Sequence, residues 1–463
     1  MRWLVFGSYD VRRHPRVGVL VQGLRAAGDQ VDEVNVPLAL DTAARVAVLR
    51  QPWRLPLLVG KLARCWWLLA WRARPYRRRA RPYRRWGRGG STDGVDAVLV
   101  GYLGHFDVHL ARWLFRRTPI VLDHLVSAAG TAADRGLAAR GGVRDRLMRL
   151  IDVASLGRAD LVVLDTVEQV AGLPEHNRDR AVVVPVGAGA DWFAAGAGAD
   201  QVGSGDGADR VAAGTGADRG GSGHGADRGR SGQGAGRLRV VFVGLFTPLH
   251  GTVTVGAALA RLAADERIEV SMVGTGQDHP ACRRAAAGNP RITWYDWIPA
   301  AELPAFVAGH HVSLGIFGTT AKALRVVPTK VFQGAAAGCA VVTSDTGPQR
   351  RALGDAALLV PPGDPEALAA VLRELADDPL RVAWLRRAAR RRAVDRFAPA
   401  TVVAPLRHRL AAGTRHPMPE PARPVPVTGD PDPVRGAGAH STLPEGAAGV
   451  GLTGAVEGSR SDG

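Results

Sequence analysis

Gly315-Ile316-Phe317-Gly318, Lys322, Val327-Pro328-Thr329-Lys330-Val331-Phe332-Gln333-Gly334-Ala335-Ala336-Ala337-Gly338 and Ala340-Val341-Val342-Thr343-Ser344-Asp345 decide how this chain folds. An apolar strand, Val312–Ile316, runs into a glycine-containing loop. Pro328 and Thr329 then open a helix, proline near the first turn and threonine at the cap. A second apolar strand, Ala340–Thr343, follows. This order is one unit of a parallel sheet, whose ligands bind past the C-terminal ends of the strands. The helix start offers exposed N–H groups and partial positive charge, which suit phosphate. Lys330 adds a full charge on the first turn. The chain has three lysines against 57 arginines, and two of the three lie here. A lysine can meet one phosphate oxygen end-on, where the guanidinium fork is too broad. The plainer alternative is a loop and helix with two solvated lysines.

Similar units extend on both sides. Downstream of residue 237, strands are expected at Arg239–Gly244, Ile268–Val273, Arg291–Trp294 and Ala357–Val360. Helices are expected at Val255–Ala264, Ala301–Ala308, Glu366–Leu375 and Leu380–Phe397. Upstream, Trp3–Phe6, Ala97–Val100, Pro119–Leu122, Leu161–Leu164 and Ala181–Val184 read as buried strands, with helices at Leu20–Ala27 and His109–Phe115. Between the halves, residues 198–233 are four nonapeptides, GADQVGSGD, GADRVAAGT, GADRGGSGH and GADRGRSGQ. They lack the regular apolar residue a repeat structure needs and read as a flexible linker. The expected organisation is α/β. A first Rossmann-like domain spans 1–195, a linker 196–237 and a second Rossmann-like domain with a closing helix 238–412. A Pro- and Gly-rich disordered tail spans 413–463. Two such domains would face each other across a ligand cleft.

Length, 463 residues, suits two or three domains, and 46 % hydrophobic content suits real cores. A net charge of +17 implies acidic partners. Cys65, Cys282 and Cys339 are odd in number and widely spaced, so they read as reduced thiols of a cytoplasmic protein with no metal cluster. No uncharged apolar run reaches the roughly 18 residues of a spanning helix. The chain is expected to be soluble or membrane-peripheral.

The stretch Gly315–Asp345 resembles the donor-site motif of GT-B-fold glycosyltransferases, in particular retaining family 4 enzymes. Gly244-Leu245-Phe246-Thr247-Pro248-Leu249-His250-Gly251, Val273-Gly274-Thr275-Gly276 and Trp297-Ile298-Pro299-Ala300-Ala301-Glu302-Leu303 resemble other landmarks of the same domain, in the family's order. The first domain is similar more loosely, through Gly7-Ser8-Tyr9-Asp10 and Val184-Pro185-Val186-Gly187. The resemblance implies a nucleotide-sugar co-substrate on the second domain, a glycan or lipid-linked acceptor on the first, retention of configuration, and no cofactor or metal. Donor contacts would come from Lys330, Lys322, Arg325, Gln333, Thr329, Gly318, Gly244, His250 and Gly274. The acceptor side would hold Tyr9 and Asp10. His124, with Asp123 before it, matches a histidine the family places near the reacting sugar; a structural histidine is the alternative. Gln333 stands where the family's second paired glutamate binds ribose, and the first glutamate falls at or near Arg325. Leu245 and His250 stand where the family often has Arg and Lys.

Residues 53–89 are the most basic part of the chain. Cys65-Trp66-Trp67-Leu68-Leu69-Ala70-Trp71 is followed by the near duplicates RPYRRRA (74–80) and RPYRRWG (81–87). Trp beside Arg suits an anionic membrane surface; the alternative is a helix pair with a solvated basic loop. No nucleic-acid fold motif accompanies it. Three further readings stay open: a nucleotide-sugar epimerase, a non-catalytic nucleotide-sugar-binding homologue and a basic nucleic-acid scaffold.

Overall fold

The structure, a computed structural model, describes residues 1–11, 14–38, 55–77, 94–137, 141–201 and 236–413. The tail, most of the nonapeptide linker and the second RPYRR repeat lie outside the described residues.

Two six-stranded parallel sheets organise the chain. The first contains β1 (Arg2–Gly7), β2 (Gln30–Asn35), β3 (Ala97–Val100), β4 (Ile120–Asp123), β5 (Leu161–Leu164) and β6 (Ala181–Val183), in spatial order β2-β1-β3-β4-β5-β6. The second contains β7 (Leu238–Val243), β8 (Ile268–Val273), β9 (Ile292–Tyr295), β10 (Val312–Leu314), β11 (Ala340–Ser344) and β12 (Ala357–Val360), in order β12-β11-β10-β7-β8-β9. All but β2 were legible as apolar runs. β2, Gln-Val-Asp-Glu-Val-Asn, is an edge strand with one fully buried side chain, Val34, so its sequence is mostly polar.

The helices of the first half are α1 (Arg16–Ala26), α2 (Leu55–Arg72), α3 (Asp107–Leu114), α4 (Ala128–Asp134), α5 (Val143–Leu156), α6 (Val167–Ala171) and α7 (Ala190–Gln201). Those of the second half are α8 (Thr252–Arg261), α9 (His279–Ala285), α10 (Leu303–Ala308), α11 (Thr329–Ala336), α12 (Gly347–Leu353), α13 (Pro365–Asp377), α14 (Pro379–Arg396) and α15 (Pro399–Ala411). Short helical turns cover 74–77 and 175–178. Strand residues alternate between two cores. On the first sheet, Leu4, Phe6, Val98 and Leu122 pack under α2, α3 and the end of α5. Trp3, Val5, Leu99 and Val121 pack under α1 and α15. On the second sheet, Phe242, Met272 and Leu314 face α8, α13 and the start of α14. Val241, Val273 and Val341 face α10, α11 and the rest of α14.

Two helices sit with the opposite half from their place in sequence. α7 puts Trp192 into the second domain's core, and Arg390 on α14 donates to the Phe193 carbonyl at 2.7 Å. α15 buries Val402, Val403, Leu406 and Leu410 against the first sheet. Arg407 then grips Asp29 with two bonds, 2.8 and 3.0 Å. The chain thus changes partners near residues 187–189 and 397–398, ahead of the expected boundaries at 195 and 412. Apolar periodicity shows that a helix is buried, not against which sheet.

Candidate functional site

In the second sheet, strand order reverses direction between β7 and β10, which lie side by side. The crevice past their C-terminal ends is the expected ligand position of such a fold. Lys330, on the first turn of α11, reaches into it. Its side chain is buried, with the residue 7 % exposed. The Nζ atom has no hydrogen-bond partner among the described residues. It sits 3.6 Å from the centre of the Phe242 ring, which projects from β7. Burial alone drives the ammonium pKa well below its ordinary value. The ring face recovers part of the lost hydration, but no carboxylate does. A buried ammonium without a counter-charge is costly, and the lowered pKa is the form that cost takes.

The loops around the amine are built for close approach. Gly244 has φ +149°, and a Cβ there would lie 2.8 Å from Lys330 Nζ. Gly251, at φ +61°, starts α8 and lies so close to Phe317 that a Cβ would sit 2.3 Å from its carbonyl carbon. Between them, His250 turns Nδ1 onto the Leu245 carbonyl. That ring nitrogen therefore carries the proton, and Nε2 is left as an acceptor. Burial, and next the charge of Lys330, push the imidazole pKa well below its usual value, so His250 is neutral. Gly274 packs its backbone on Gly244, and Gly318 packs on the Pro248 and Leu249 carbonyls. α11 opens without a side-chain cap: Pro328 holds the capping position and Thr329 is the first helical residue, so the helix starts one residue earlier than expected. Gln333, three residues beyond Lys330, is half-buried on the same helix. Lys330, Gly244, His250, Gly274 and Gly318 therefore come together around one crevice, with Thr329 and Gln333 on the same helix as Lys330.

Lys322 and Arg325 make other contacts, although the charge of Lys322 still acts on His250. They lie on a loop that meets the first domain. Lys322 Nζ donates to Thr131 Oγ1 on α4 at 2.9 Å, and Thr320 Oγ1 to Asp134 Oδ1 at 2.6 Å. The Arg325 carbonyl accepts from Thr166 Oγ1 at 2.6 Å, while its side chain is exposed. Arg351 pairs with Glu168 on α6. These contacts join the two domains, and sequence reading had no signal for them because they link residues more than 150 positions apart. Near them, Asp165 at the end of β5 is fully buried, and burial raises its pKa to about 7 despite the nearby charge of Arg16.

A second polar network missed by the sequence supports the crevice. Thr343 Oγ1 donates to Gln349 Oε1 at 2.8 Å, and Gln349 Nε2 donates to Ser344 Oγ at 3.1 Å. The same Thr343 oxygen accepts from the Ile316 amide at 3.2 Å. This fixes the loop after β10. Polar Thr-Ser at the end of an apolar strand was the available signal.

In the first domain, the two residues singled out after β4 have different roles. Asp123 is buried and paired with Arg16, Nε to Oδ1 3.4 Å, while Arg16 also holds the Val184 carbonyl at 2.9 Å. This pair ties β4 to β6 and α1, while Asp123 Oδ2 is buried without a hydrogen-bond partner among the described residues. His124 is 4 % exposed. Burial, then the neighbouring His105, lower its pKa to about 4, so the ring is neutral. His105 Nε2 meets Asp152 Oδ1 at 3.1 Å, and its ring stands edge-on to His124 with centroids 5.2 Å apart. The three form a cluster with metal-ligand spacing. The Asp152 oxygens, however, already accept from the Ala128 and Ala129 amides and from Ser127 Oγ. Burial works to raise the Asp152 pKa, but these bonds and His105 outweigh it and hold it at about 2. That donor set fits a carboxylate that anchors α4 and orients His105 better than a metal ligand. Tyr9 is 3 % exposed and donates to Glu33 at 3.2 Å. Its burial against Gly101 makes it a packing residue. Asp10 is half-buried beyond the end of β1, where its carbonyl accepts from the His14 amide at 2.9 Å.

Comparison with known proteins agrees with this geometry. Residues 237–378 match the family model described as Glycosyl transferases group 1. None of the curated proteins compared is a significant match in sequence. Among solved structures, sucrose-phosphate synthase from Thermosynechococcus elongatus superposes with TM-score 0.59 at 16 % identity, covering 89 % of this chain and 99 % of that one. Anabaena Alr3699/HepE in complex with UDP-glucose gives 0.56 at 12 %, covering 89 % and 100 %. An α,α-trehalose-phosphate synthase (UDP-forming) from Burkholderia xenovorans, in complex with glucose-6-phosphate, gives 0.59 at 12 %, covering 89 % and 100 %. The fold is therefore the two-domain GT-B type, and the family match supports a glycosyltransferase.

Proposed function

We propose that this protein is a glycosyltransferase that moves a sugar from a nucleotide-sugar donor to a glycan or lipid-linked acceptor with retention of configuration. The observation that carries the reading is the buried amine of Lys330, which faces the β7–β10 crevice with no counter-charge among the described residues. A donor diphosphate supplies two phosphates at that point. As the glycosidic bond to the diphosphate breaks, negative charge grows on the leaving oxygen. Lys330 and the amide end of α11 stabilise it electrostatically. The Phe242 ring keeps water from screening the charge. This arrangement lets fixed protein groups neutralise the leaving group, the task a divalent ion performs in other transferases.

The acceptor enters from the first domain. His124 is held neutral by burial and by His105, so it can accept or donate one hydrogen bond to a sugar hydroxyl without adding positive charge beside an oxocarbenium-like centre. Among the described residues no carboxylate pairs with Lys330, and attack on the face from which the diphosphate leaves is the simplest route to retention. The leaving phosphate oxygen then takes the acceptor proton. The contacts of Lys322, Thr320 and Arg325 with α4 and the end of β5 hold the two domains together and exclude water from the reacting sugar.

Gln333 at the family's glutamate position favours a second reading, a homologue that binds nucleotide sugar without turning it over. An amide can accept from a ribose hydroxyl but carries no charge. One experiment separates the readings. The purified protein is screened by thermal shift against nucleoside diphosphate sugars, since a ligand at 100 times its Kd stabilises by about 2.7 kcal/mol. The stabilising donor is then incubated with a panel of acceptors, and nucleoside diphosphate release is followed. Release that requires an acceptor supports transfer. Binding without release supports the non-catalytic reading, a changed sugar without acceptor supports an epimerase, and no stabilisation by any donor refutes the reading.

A further inference from the structure

The transferase reading leaves one face of the first domain without a task. α2, α3 and α5 lie on the same side of the first sheet, where their inner sides share one core. Arg112 on α3 donates to the Arg158 carbonyl just past α5 at 2.9 Å, and Trp66 on α2 donates to Asp107 on α3 at 3.0 Å. The three helices thus flank the same face of the first sheet, with α3 tied to α2 and to the end of α5. Their outer side is unusual. On α2, Leu57, Arg64, Trp67 and Trp71 fall at spacings of seven, three and four, a single stripe, with Trp67 67 % and Trp71 55 % exposed. On α5, Val143, Leu147 and Leu150 make a second stripe, with Leu147 50 % and Leu150 63 % exposed. Trp113 on α3 is 56 % exposed, with the Arg77 guanidinium 5.7 Å over its ring. Lys61, Arg64, Arg72, Arg144, Arg146 and Arg149 are on the same helices and reach solvent. Every acidic residue of the three helices, Asp107, Asp145 and Asp152, is buried.

From this arrangement we infer that the α2–α3–α5 layer docks the protein on an anionic phospholipid bilayer. Tryptophan and arginine at the outer surface, with leucine stripes beneath, match the headgroup zone, where aromatic rings are half-solvated and cations meet phosphate. The basic repeat of residues 78–88 continues the same charge in sequence. A second copy of the chain is the poorer occupant, because a two-fold contact would set arginine against arginine. Nucleic acid would satisfy the arginines but leave the aliphatic stripe of α5 uncovered. Among the described residues no helix is long and apolar enough to cross the membrane, so the contact is peripheral. The inference does not rest on the transferase reading: vesicle binding and donor binding can each fail while the other holds.

The full-length protein is sedimented with vesicles of phosphatidylcholine alone and of phosphatidylcholine mixed with phosphatidylglycerol, at low and high salt. Binding is expected with the anionic vesicles only and to weaken with salt. Each arginine replaced should weaken it about fivefold, so Arg144→Gln with Arg146→Gln gives roughly 25-fold. Leu147→Ser with Leu150→Ser, and Trp67→Ser with Trp71→Ser, should each abolish sedimentation while leaving the melting temperature unchanged, as all four positions are exposed. Quenching of wild-type tryptophan fluorescence by brominated phosphatidylglycerol gives a readout that needs no variant. Failure to bind anionic vesicles, equal binding to neutral ones, or binding that survives the α5 substitutions overturns the inference. So does capture by duplex or single-stranded nucleic acid, or concentration-dependent dimerisation, in the absence of vesicle binding.

Discussion

Replacing Lys330 with methionine should change the ligand-free and the donor-bound protein in opposite directions. The side chain is buried over Phe242 with its amine unpartnered. Its pKa in the folded protein is depressed by desolvation, so between that value and the unfolded value of about 10.4 the unfolded chain binds more protons than the folded one. Stability of the wild type therefore rises with pH across this window. Methionine fills the same channel with no proton to lose. The variant should be more stable than wild type at pH 7 by about 1–3 kcal/mol, the cost of a buried unpaired polar group, and the gain should vanish as pH approaches about 10.4. Donor binding reverses the sign. A diphosphate gives the ammonium its counter-charge, a charge-assisted bond worth about 1.5–3 kcal/mol, or roughly 10–150-fold in Kd. Denaturant titration across pH measures the first effect and calorimetry with the stabilising nucleotide sugar measures the second. Repeating the calorimetry in buffers of different ionisation enthalpy should reveal proton uptake on binding by the wild type, an uptake that Lys330→Met abolishes. Unchanged donor affinity in the variant would refute the placement of the diphosphate. A less stable ligand-free variant would show that the amine is already compensated.

His124, His310 and His311 are all held near pKa 4, chiefly by burial. Below about pH 6.5 the unfolded chain takes up protons that these rings refuse, so stability should fall towards pH 4 by up to about 3 kcal/mol per histidine; His124→Gln should remove about a third of that slope in urea titrations. Asp165 behaves oppositely, since its folded pKa is raised to about 7. It loses stability as pH climbs from about 4 to 7. Asp165→Asn should therefore stabilise the protein at pH 8, by on the order of 2–4 kcal/mol, and leave pH 4 almost unchanged; equal effects on the melting midpoint at both pH values would contradict the assignment. Gly251→Ala combines left-handed backbone with a clash against Phe317 and should cost about 3 kcal/mol, seen as a lower denaturation midpoint together with weaker donor binding. Ordinary stability in that variant would mean that the loop after β7 is not pinned to the loop after β10.

The parallel sheets were legible because both faces of each strand are buried, which turns strands such as Leu161-Val162-Val163-Leu164 into apolar runs. Lys330 was legible for a different reason, the scarcity of lysine in an arginine-rich chain. Its loss of every partner was not, because that depends on Phe242, far earlier in the chain, folding beneath it. Lys322 shows the limit of composition: equally rare, it bonds to Thr131 of the first domain. Asp123 and Tyr9 carried polar groups at strand ends, which is where functional residues gather. In each case a partner from elsewhere in the chain, Arg16 or Glu33, engages the group in a way the sequence did not show. The outer stripe of α5 was missed because Val143, Leu147 and Leu150 have the same periodicity whether the stripe faces a core or solvent.

The crossed placement of α7 and α15 bears on how the molecule can be divided. The obvious cut, in the glycine-rich nonapeptides, yields an N-terminal fragment that keeps Trp192 for a sheet it no longer has. The fragment also lacks the helix that covers Trp3, Leu20 and Leu99. A peptide of residues 399–411 added in trans would restore that cover and bring Arg407 back to Asp29. The smallest self-sufficient first domain is thus discontinuous. A circular permutant that links the end of α15 to Met1 and opens the chain within the nonapeptides would keep both crossed helices with their sheets, at the loss of the ion pair between the Met1 amine and Asp29.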